Sequence, residues 1–465
     1  MHGGRGAAWS QGSEAGGWSV PTGLRCSAGL PRWAVLATLR SVNIELITTG
    51  TELLLGRVQD THQAWLCRQL ADHGYTVHRH TTVSDSGPAI QQAVREAAAR
   101  ADLVIVTGGL GPTSDDRTRE LIAQWLSRPL VEDPALLAHI ERFFAERNRP
   151  VPERARVQAL IPQGATPLPN PLGTAAGLVL EFPPRPGSDR PGLLILLPGP
   201  PRELRPMFTQ QVLPLLQTRF PLEEAFVCLT LRTTGLPESQ VEQTIAGPLQ
   251  FLVAAGLELG YCARPGEVDV WLAARGPAAA RLVREAEGLV RQLLGPAVYG
   301  VNDETLEQVV VRLLTERRRT LALAESCTGG FIGHRLTNVP GASAVFLAGL
   351  VVYSNTAKQA FLGVKAETLA AHGAVSEPVA RQMAEGARAR TGADYAVAVT
   401  GIAGPTGGSP EKPVGTVFLA VAGPTQTLAE KRFNPWDRET FKHVTAQQAL
   451  DLIRRTVTSE PTSSP

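Results

Sequence analysis

Leu321-Ala322-Leu323-Ala324-Glu325-Ser326-Cys327-Thr328-Gly329-Gly330 is the stretch on which the architecture of the chain turns. Its first four residues are a short apolar run that reads as a buried strand. Small, hydroxyl-bearing and glycine residues end that run, and Phe331, Ile332 and Leu336 then resume with helical spacing. A strand that stops this way before a helix leaves backbone N–H groups without intrahelical partners. With the positive end of the helix dipole, such donors hold a phosphate or a developing oxyanion. Ser326 stands where a nucleophile would be useful. The same position suits a helix N-cap, for which Ser and Thr are favoured on structural grounds alone.

Outward from this stretch, 465 residues suffice for about three domains of ordinary size. With 43% hydrophobic residues the chain can bury several cores, and a net charge of +2 gives no broad electrostatic footprint for DNA or membrane. Of 45 basic residues only five are lysine (Lys358, Lys365, Lys412, Lys431, Lys442), and all lie in the last quarter. Lysine, unlike arginine, readily loses its proton when buried. The five cysteines (Cys26, Cys67, Cys228, Cys262, Cys327) are odd in number and form no C-x-x-C. That pattern suits a reducing cytosol and argues against a disulfide framework or a thiolate zinc site. No run approaches the ~18 apolar residues of a membrane span, so a cytoplasmic protein with no membrane partner is expected. Residues 1–41 read as a disordered leader or a start-site extension, because Ala34 to Leu39 is too short and poorly flanked for a signal peptide.

Order is expected to begin near Asn43. Ile44 to Thr48 reads as a strand, followed by a helix over Thr61 to His73 that Gly74 ends. Tyr75 to Val83 alternates as a strand, Pro88 to Arg100 is an alanine-rich helix, and Leu103 to Val106 is a third strand. Strands alternating with helices imply a parallel sheet covered on its faces. The third strand runs into Thr107-Gly108-Gly109-Leu110-Gly111-Pro112-Thr113-Ser114-Asp115-Asp116. Ligands of open parallel sheets sit beyond the carboxyl ends of the strands. The glycines let backbone approach a phosphate; the paired aspartates are hard oxygen ligands for Mg²⁺ or, equally, helix N-terminal caps. Asn170-Pro171-Leu172-Gly173-Thr174-Ala175-Ala176-Gly177 and Leu197-Pro198-Gly199-Pro200-Pro201-Arg202-Glu203 are loops of the same style. Three glycine loops at strand ends describe one ligand site, with Gly108, Gly109, Gly111, Thr113, Asn170, Gly173 and Thr174 on it.

The order of these motifs over roughly 42–215 resembles the amino-terminal domain of the CinA proteins, which is similar to the MoaB/MogA molybdopterin-binding fold. His62 and Ser84-Asp85-Ser86 depart from the usual Asn and Gly-Asp-Asp. The resemblance implies either pterin binding or metal-assisted hydrolysis of ADP-ribose, with Asp85, Asp115, Asp116 and Glu203 as candidates to hold a divalent metal (Mg²⁺ or similar) and activate water. Residues 216–302 alternate strand and helix (Phe226 to Thr233, Glu238 to Leu252, Val268 to Ala274, Ala278 to Leu294) and resemble the KH-like insert of the same family. No G-x-x-G loop lies between helices to clamp nucleic acid, so a nucleic-acid partner is not expected.

Within 303–458, Thr305 to Arg318 is an amphipathic helix leading into the opening strand. Leu350 to Tyr353 reads as a strand running into Ser354-Asn355-Thr356-Ala357-Lys358, and Tyr395 to Val399 as one ending in Thr400-Gly401-Ile402-Ala403-Gly404-Pro405. A final strand is expected through Ala422, and Asp437-Arg438 starts the last helix. The intact A-E-S-C-T-G-G, Y-S-N-x-x-K, G-A-V-S-E-P and T-G-I-A-G-P motifs resemble the CinA carboxy-terminal domain, also found free-standing as the nicotinamide mononucleotide deamidase PncC. The fold class expected is therefore α/β: two α/β/α domains, MoaB/MogA-like and CinA C-terminal type, joined by a small α+β KH-like domain.

An amidase needs an activated nucleophile, a base and oxyanion donors. None of the nine histidines lies in the motifs of the last domain, and a buried lysine can replace histidine as base, since desolvation disfavours the ammonium. Ser326 is assigned as nucleophile, Lys358 as base and Tyr353 as proton relay or orienting hydroxyl. Backbone N–H groups around Thr328 and Gly329 are expected to form the oxyanion hole, with Gly330 beside them as a substrate-binding residue. Thr400, Gly401 and Gly404 cradle the substrate phosphate, with Arg438 as a fork-like donor. Tyr353 also reads as core and Lys358 as a solvated helix charge, and Cys327 is the rival nucleophile. The deamidase needs no cofactor. Small-molecule nucleotides (nicotinamide mononucleotide, possibly ADP-ribose) are the expected partners, and the resemblance implies a homodimer. The rival functions are a molybdopterin-binding module and an interaction protein of competence or DNA damage.

Overall fold

The computed structural model describes residues 42–460, so the leader expected over 1–41 lies outside the described residues. From Asn43 onward the chain forms one compact unit built on three main sheets. The N-terminal sheet has the order Val77–Val83, Ile44–Thr49, Leu103–Thr107, Gly192–Leu197, Gly177–Phe182, Thr166–Leu168. Its first four strands are mutually parallel. Leu103–Thr107 and Gly192–Leu197 are buried along their whole length, as continuous apolar strands must be when helices cover both faces. The last two strands run antiparallel and extend the parallel sheet expected from the first strands. Phe182 and Gly192 are joined by a loop without a helix, and a parallel return needs a crossover of a dozen or more residues.

The middle unit is a four-stranded sheet in the order Glu258–Arg264, Glu267–Arg275, Phe226–Thr234, Val298–Val301, every pair antiparallel. The first and last of these strands were not foreseen. The two helices, Glu238–Ala254 and Ala279–Leu294, are separated in sequence by a hairpin rather than by a clamp loop.

The C-terminal sheet has the order Phe346–Val351, Leu321–Glu325, Tyr395–Gly401, Thr416–Ala422, Thr427–Phe433. The first three are parallel and the last two antiparallel. Here Thr427–Phe433 corrects the expectation that the strand through Ala422 is final. The edge strand ends at Val351 rather than Tyr353, which places Tyr353 in the turn beyond it. The Leu-Ala-Leu-Ala alternation has a packing meaning. Leu321 and Leu323 enter the core shared with Leu306–Glu316 and Arg438–Ser459, whereas Ala322 and Ala324 enter the core shared with Glu377–Thr391. Small residues on one face let the Glu377–Thr391 helix lie close to the sheet. Among the described residues, no helix is long and apolar enough to cross a membrane.

Candidate active site

The carboxyl ends of the three parallel C-terminal strands converge on Ser326. The Ser326 N–H donates to the Val399 carbonyl at 3.1 Å, so its backbone is tied to the neighbouring strand. Gly329 and Gly330 then adopt φ of 62° and 96°, a left-handed pair that turns the chain into the Phe331–Thr337 helix and that only glycine takes at little cost. Ser354 caps the Asn355–Leu362 helix by accepting from the Ala357 N–H at 3.0 Å. That helix carries Lys358 back beneath the strand ends, where the side chain is 1% exposed.

Lys358 Nζ lies 3.0 Å from Ser326 Oγ, 2.9 Å from the Val352 carbonyl and 3.1 Å from the Tyr353 carbonyl. No carboxylate pairs with it among the described residues. Desolvation by burial lowers its pKa, with the Cys327 side chain opposing. A neutral amine has two N–H bonds and one lone pair. Two carbonyl oxygens can only accept, so the N–H bonds go to them and the lone pair faces the serine hydroxyl. This is the arrangement a general base requires.

Glu325 changes the oxyanion picture. Its carboxylate, buried between strand and helix, accepts the N–H groups of Gly330 (3.0 Å), Ile332 (3.1 Å) and Gly333 (2.8 Å). The helix tip expected to serve an oxyanion is therefore already neutralised from below. The Gly329 N–H donates to the Ser326 carbonyl at 3.2 Å. Among the described residues, the N–H groups of Cys327 and Thr328 are left without an acceptor. The unpaired donors thus lie one residue nearer Ser326 than the sequence led one to expect, on the two N–H groups that follow it. Cys327 points into the core beside Leu323 and Ile332, and burial pushes its thiol up to about 12. A thiol so raised is not a nucleophile at neutral pH.

Arg438 donates to the Gly404 carbonyl at 2.9 Å and to the Tyr353 hydroxyl at 2.8 Å. Tyr353 is largely exposed, so it is not core. Its hydroxyl is held by Arg438, and what reaches Lys358 is its backbone carbonyl. Thr400 is buried and its hydroxyl donates to the Ala374 carbonyl at 2.8 Å, so it braces the G-A-V-S-E-P turn rather than facing solvent. Gly401 ends its strand against Thr416 and Val417. Thr328 is wholly buried, and its hydroxyl has no partner among the described residues.

The N-terminal domain gathers its three glycine loops around one cavity of about 370 Å³, lined among others by Gly109, Gly111, Asp116, Gly173, Thr174 and Glu203. Gly108 lies under the same loop with φ of 98°. Asp116 accepts from the Thr113 N–H at 2.9 Å and the Thr113 hydroxyl at 2.6 Å. Glu203 accepts from Asn170 Nδ2 at 2.8 Å. Asp85 accepts instead from the Thr51 N–H and hydroxyl, at 2.8 and 2.9 Å, and Asp115 from the Ser114 hydroxyl at 2.9 Å. The four carboxylates considered for metal binding therefore do not converge. Among the described residues, no group of three or more His, Cys, Asp or Glu side chains is placed to hold a metal ion. Asp116 and Glu203 alone line the cavity, and two carboxylates plus ligand phosphate oxygens is a set that Mg²⁺ accepts. His62 reaches across to the carbonyl of Gly199, a residue of the cavity wall.

Several residues of these sites were not apparent in the sequence. Glu325 caps through bonds to residues five, seven and eight positions on, a spacing no capping pattern announces. Phe143 and Gln158 of the N-terminal cavity lie outside its glycine motifs.

The fold and sites define a three-part chain of an α/β molybdopterin-binding type, a KH type and a serine–lysine α/β unit. Matching family profiles are the "Probable molybdopterin binding domain" over residues 45–218, the "Damage-inducible protein CinA KH domain" over 229–300, and the "CinA C-terminal domain" over 303–457. A Moorella thermoacetica protein described as competence-damage inducible is 44% identical over 90% of this chain and 99% of its own length. A CinA-like protein of Akkermansia muciniphila is 45% identical over 89% of this chain and 97% of its own. The solved competence/damage inducible protein CihA of Agrobacterium tumefaciens is 43% identical, with a TM-score of 0.32, over 33% of this chain and 94% of its own. The chain belongs to the CinA family.

Proposed function

We propose that the C-terminal domain hydrolyses the carboxamide of nicotinamide mononucleotide, giving nicotinate mononucleotide and ammonia. The observation that carries this reading is the buried Lys358 Nζ, 3.0 Å from Ser326 Oγ and 2.9 Å from the Val352 carbonyl. Lys358 takes the hydroxyl proton as Ser326 Oγ attacks the carboxamide carbon, and the Cys327 and Thr328 N–H groups receive the oxyanion. The same proton passes from Nζ to the departing nitrogen, so ammonia leaves and an ester to Ser326 is formed. Water then attacks that ester with Lys358 again as base, releasing the carboxylate and restoring the serine. Arg438, tied to Gly404 and Tyr353, is the cation at hand for the substrate phosphate. Ser326→Ala should abolish ammonia release from nicotinamide mononucleotide, while Cys327→Ala keeps most of it; the opposite ranking ends the serine assignment.

The cavity enclosed by three glycine loops favours a second activity in the N-terminal domain, binding and hydrolysis of ADP-ribose. A divalent ion there would be held by Asp116 and Glu203 with ligand phosphate oxygens and would supply charge neutralisation. Offering nicotinamide mononucleotide, ADP-ribose and a pterin separately to purified protein distinguishes this reading from a molybdopterin-binding module. The functional unit proposed is a cytoplasmic homodimer acting on small nucleotides.

A further inference from the structure

The N-terminal cavity has one aromatic residue in its wall, Phe143, on the helix Pro134–Ala145. The ring is held from several sides. The Arg147 guanidinium stacks 3.6 Å from its centroid, and the Arg147 side chain also donates to the Phe143 carbonyl at 2.9 Å. Phe144 meets it edge-on, with centroids 6.0 Å apart at 78°. His139, on the same helix, bonds to the carbonyl of Gly173 at 2.9 Å and so ties the aromatic helix to a glycine loop of the cavity. Phe143 lines the cavity and Arg147 does not, so the guanidinium backs the ring from outside the lining.

Across the cavity stand the glycine loops. A Cβ on Gly111 would come within 2.3 Å of the Asp116 carboxylate, and one on Gly173 within 2.2 Å of that of Glu203. Both loops press backbone against polar groups, and Phe143 is the one aromatic side chain in the lining. A planar ring entering this cavity meets one aromatic side chain, Phe143.

We propose that Phe143, backed by Arg147, is the platform on which the planar ring of the N-terminal ligand stacks, with its phosphate-bearing part lying along the glycine loops. The ligand class is a ring-bearing phosphate compound, whether adenine in ADP-ribose or the bicycle of a pterin. This rests on the ligand-binding reading of that cavity given above, and not on hydrolysis. Stacking of a base on an aromatic side chain contributes about five- to 150-fold in affinity.

The test measures equilibrium binding to the full chain, without added metal, of ADP-ribose, of a pterin phosphate and of ribose 5-phosphate as the ringless probe. Phe143→Ala should weaken whichever ring-bearing ligand binds by about five- to 150-fold, leave ribose 5-phosphate within about twofold, and be rescued by Phe143→Tyr. Arg147→Ala should weaken the ring-bearing ligand alone, and by less. A pterin that binds through Phe143 while ADP-ribose does not bind would end the ADP-ribose reading and keep the platform. Equal losses for ringed and ringless ligands, no loss in Phe143→Ala, or no binding of any probe would overturn the platform itself.

Discussion

The Arg438 guanidinium donates to the Tyr353 hydroxyl at 2.8 Å, and this pairing separates two roles that Tyr353 combines. The hydroxyl orients a cation at the mouth of the site, whereas the Tyr353 carbonyl holds the base, 3.1 Å from Lys358 Nζ. Tyr353→Phe removes the first contact and leaves the second. Its kcat/KM for nicotinamide mononucleotide should fall by about tenfold or less, the scale of one exposed hydrogen bond. A variant as inactive as Ser326→Ala would return the hydroxyl to the proton path.

With Lys358 as the proposed base, the working form is the neutral amine, so kcat/KM should rise as Nζ loses its proton and level off above its pKa. Burial lowers that pKa, which places the inflection below the ordinary lysine value of about 10.4. Stability follows the same sign. Between the lowered folded pKa and the unfolded value the unfolded chain binds more protons, so stability rises with pH across that window, and the cost of burying the ammonium is full below it. Lys358→Arg should be inactive at every pH in this range, because arginine keeps its proton. A flat wild-type profile, or an active arginine variant, would remove lysine from the base role.

Glu325→Gln tests the buried cap. The carboxylate serves three N–H groups at 2.8 to 3.1 Å, and an amide keeps one oxygen but turns an N–H₂ against donors. The loss should be about 1–3 kcal/mol of stability, read as a lower midpoint in thermal or denaturant unfolding. An unchanged midpoint would mean that the turn after Ser326 is held by other contacts.

Much of this was legible before the structure, and the limits are physical. Ser326 and Lys358 stand out because their neighbours form short motifs of glycine, hydroxyl and lysine at strand ends, where the parallel sheet sends its functional groups, whereas Arg438, at the start of the last helix, is picked out by the family resemblance. The division of labour around them was hidden. A capping carboxylate that acts through backbone N–H groups leaves no periodic trace, so Glu325 reads only as the last residue of a strand. Asp85 and Asp116 look equivalent in sequence, yet Asp85 closes onto Thr51, whereas Asp116, in the cavity wall, closes onto Thr113. Antiparallel additions such as Thr427–Phe433 were missed because half-buried edge strands lack a strong apolar run.

Cys327 gives a chemical control on the nucleophile. With its thiol raised to about 12 and packed in the core, it should resist alkylation in the native protein, while the exposed Cys262 reacts. Iodoacetamide treatment followed by mass mapping should show Cys262 modified, Cys327 intact and amidase activity retained. Modification of Cys327 with parallel loss of activity would reopen the thiol as nucleophile.

Gln447 joins the middle and C-terminal units. It is fully buried, accepting from Arg335 Nη2 at 2.7 Å and donating to Glu267 Oε1 at 2.8 Å. Arg335 also pairs with Glu307 at 2.6 Å, and Glu267 also receives the Tyr299 hydroxyl and, at 3.4 Å, Arg232. Gln447→Leu therefore strips one bond from each charge without leaving either charge unpaired. The loss should be about 1.5–3 kcal/mol, the range of hydrogen bonds to charged groups, rather than the 3–5 kcal/mol of an orphaned buried ion. Glu267→Ala removes the charge that Arg232, Tyr299 and Gln447 all face, and should cost more than Gln447→Leu in the same unfolding experiment. The reverse order would show that the contact between the two units is carried by apolar packing around Val444 and Gly266, not by this chain of polar groups.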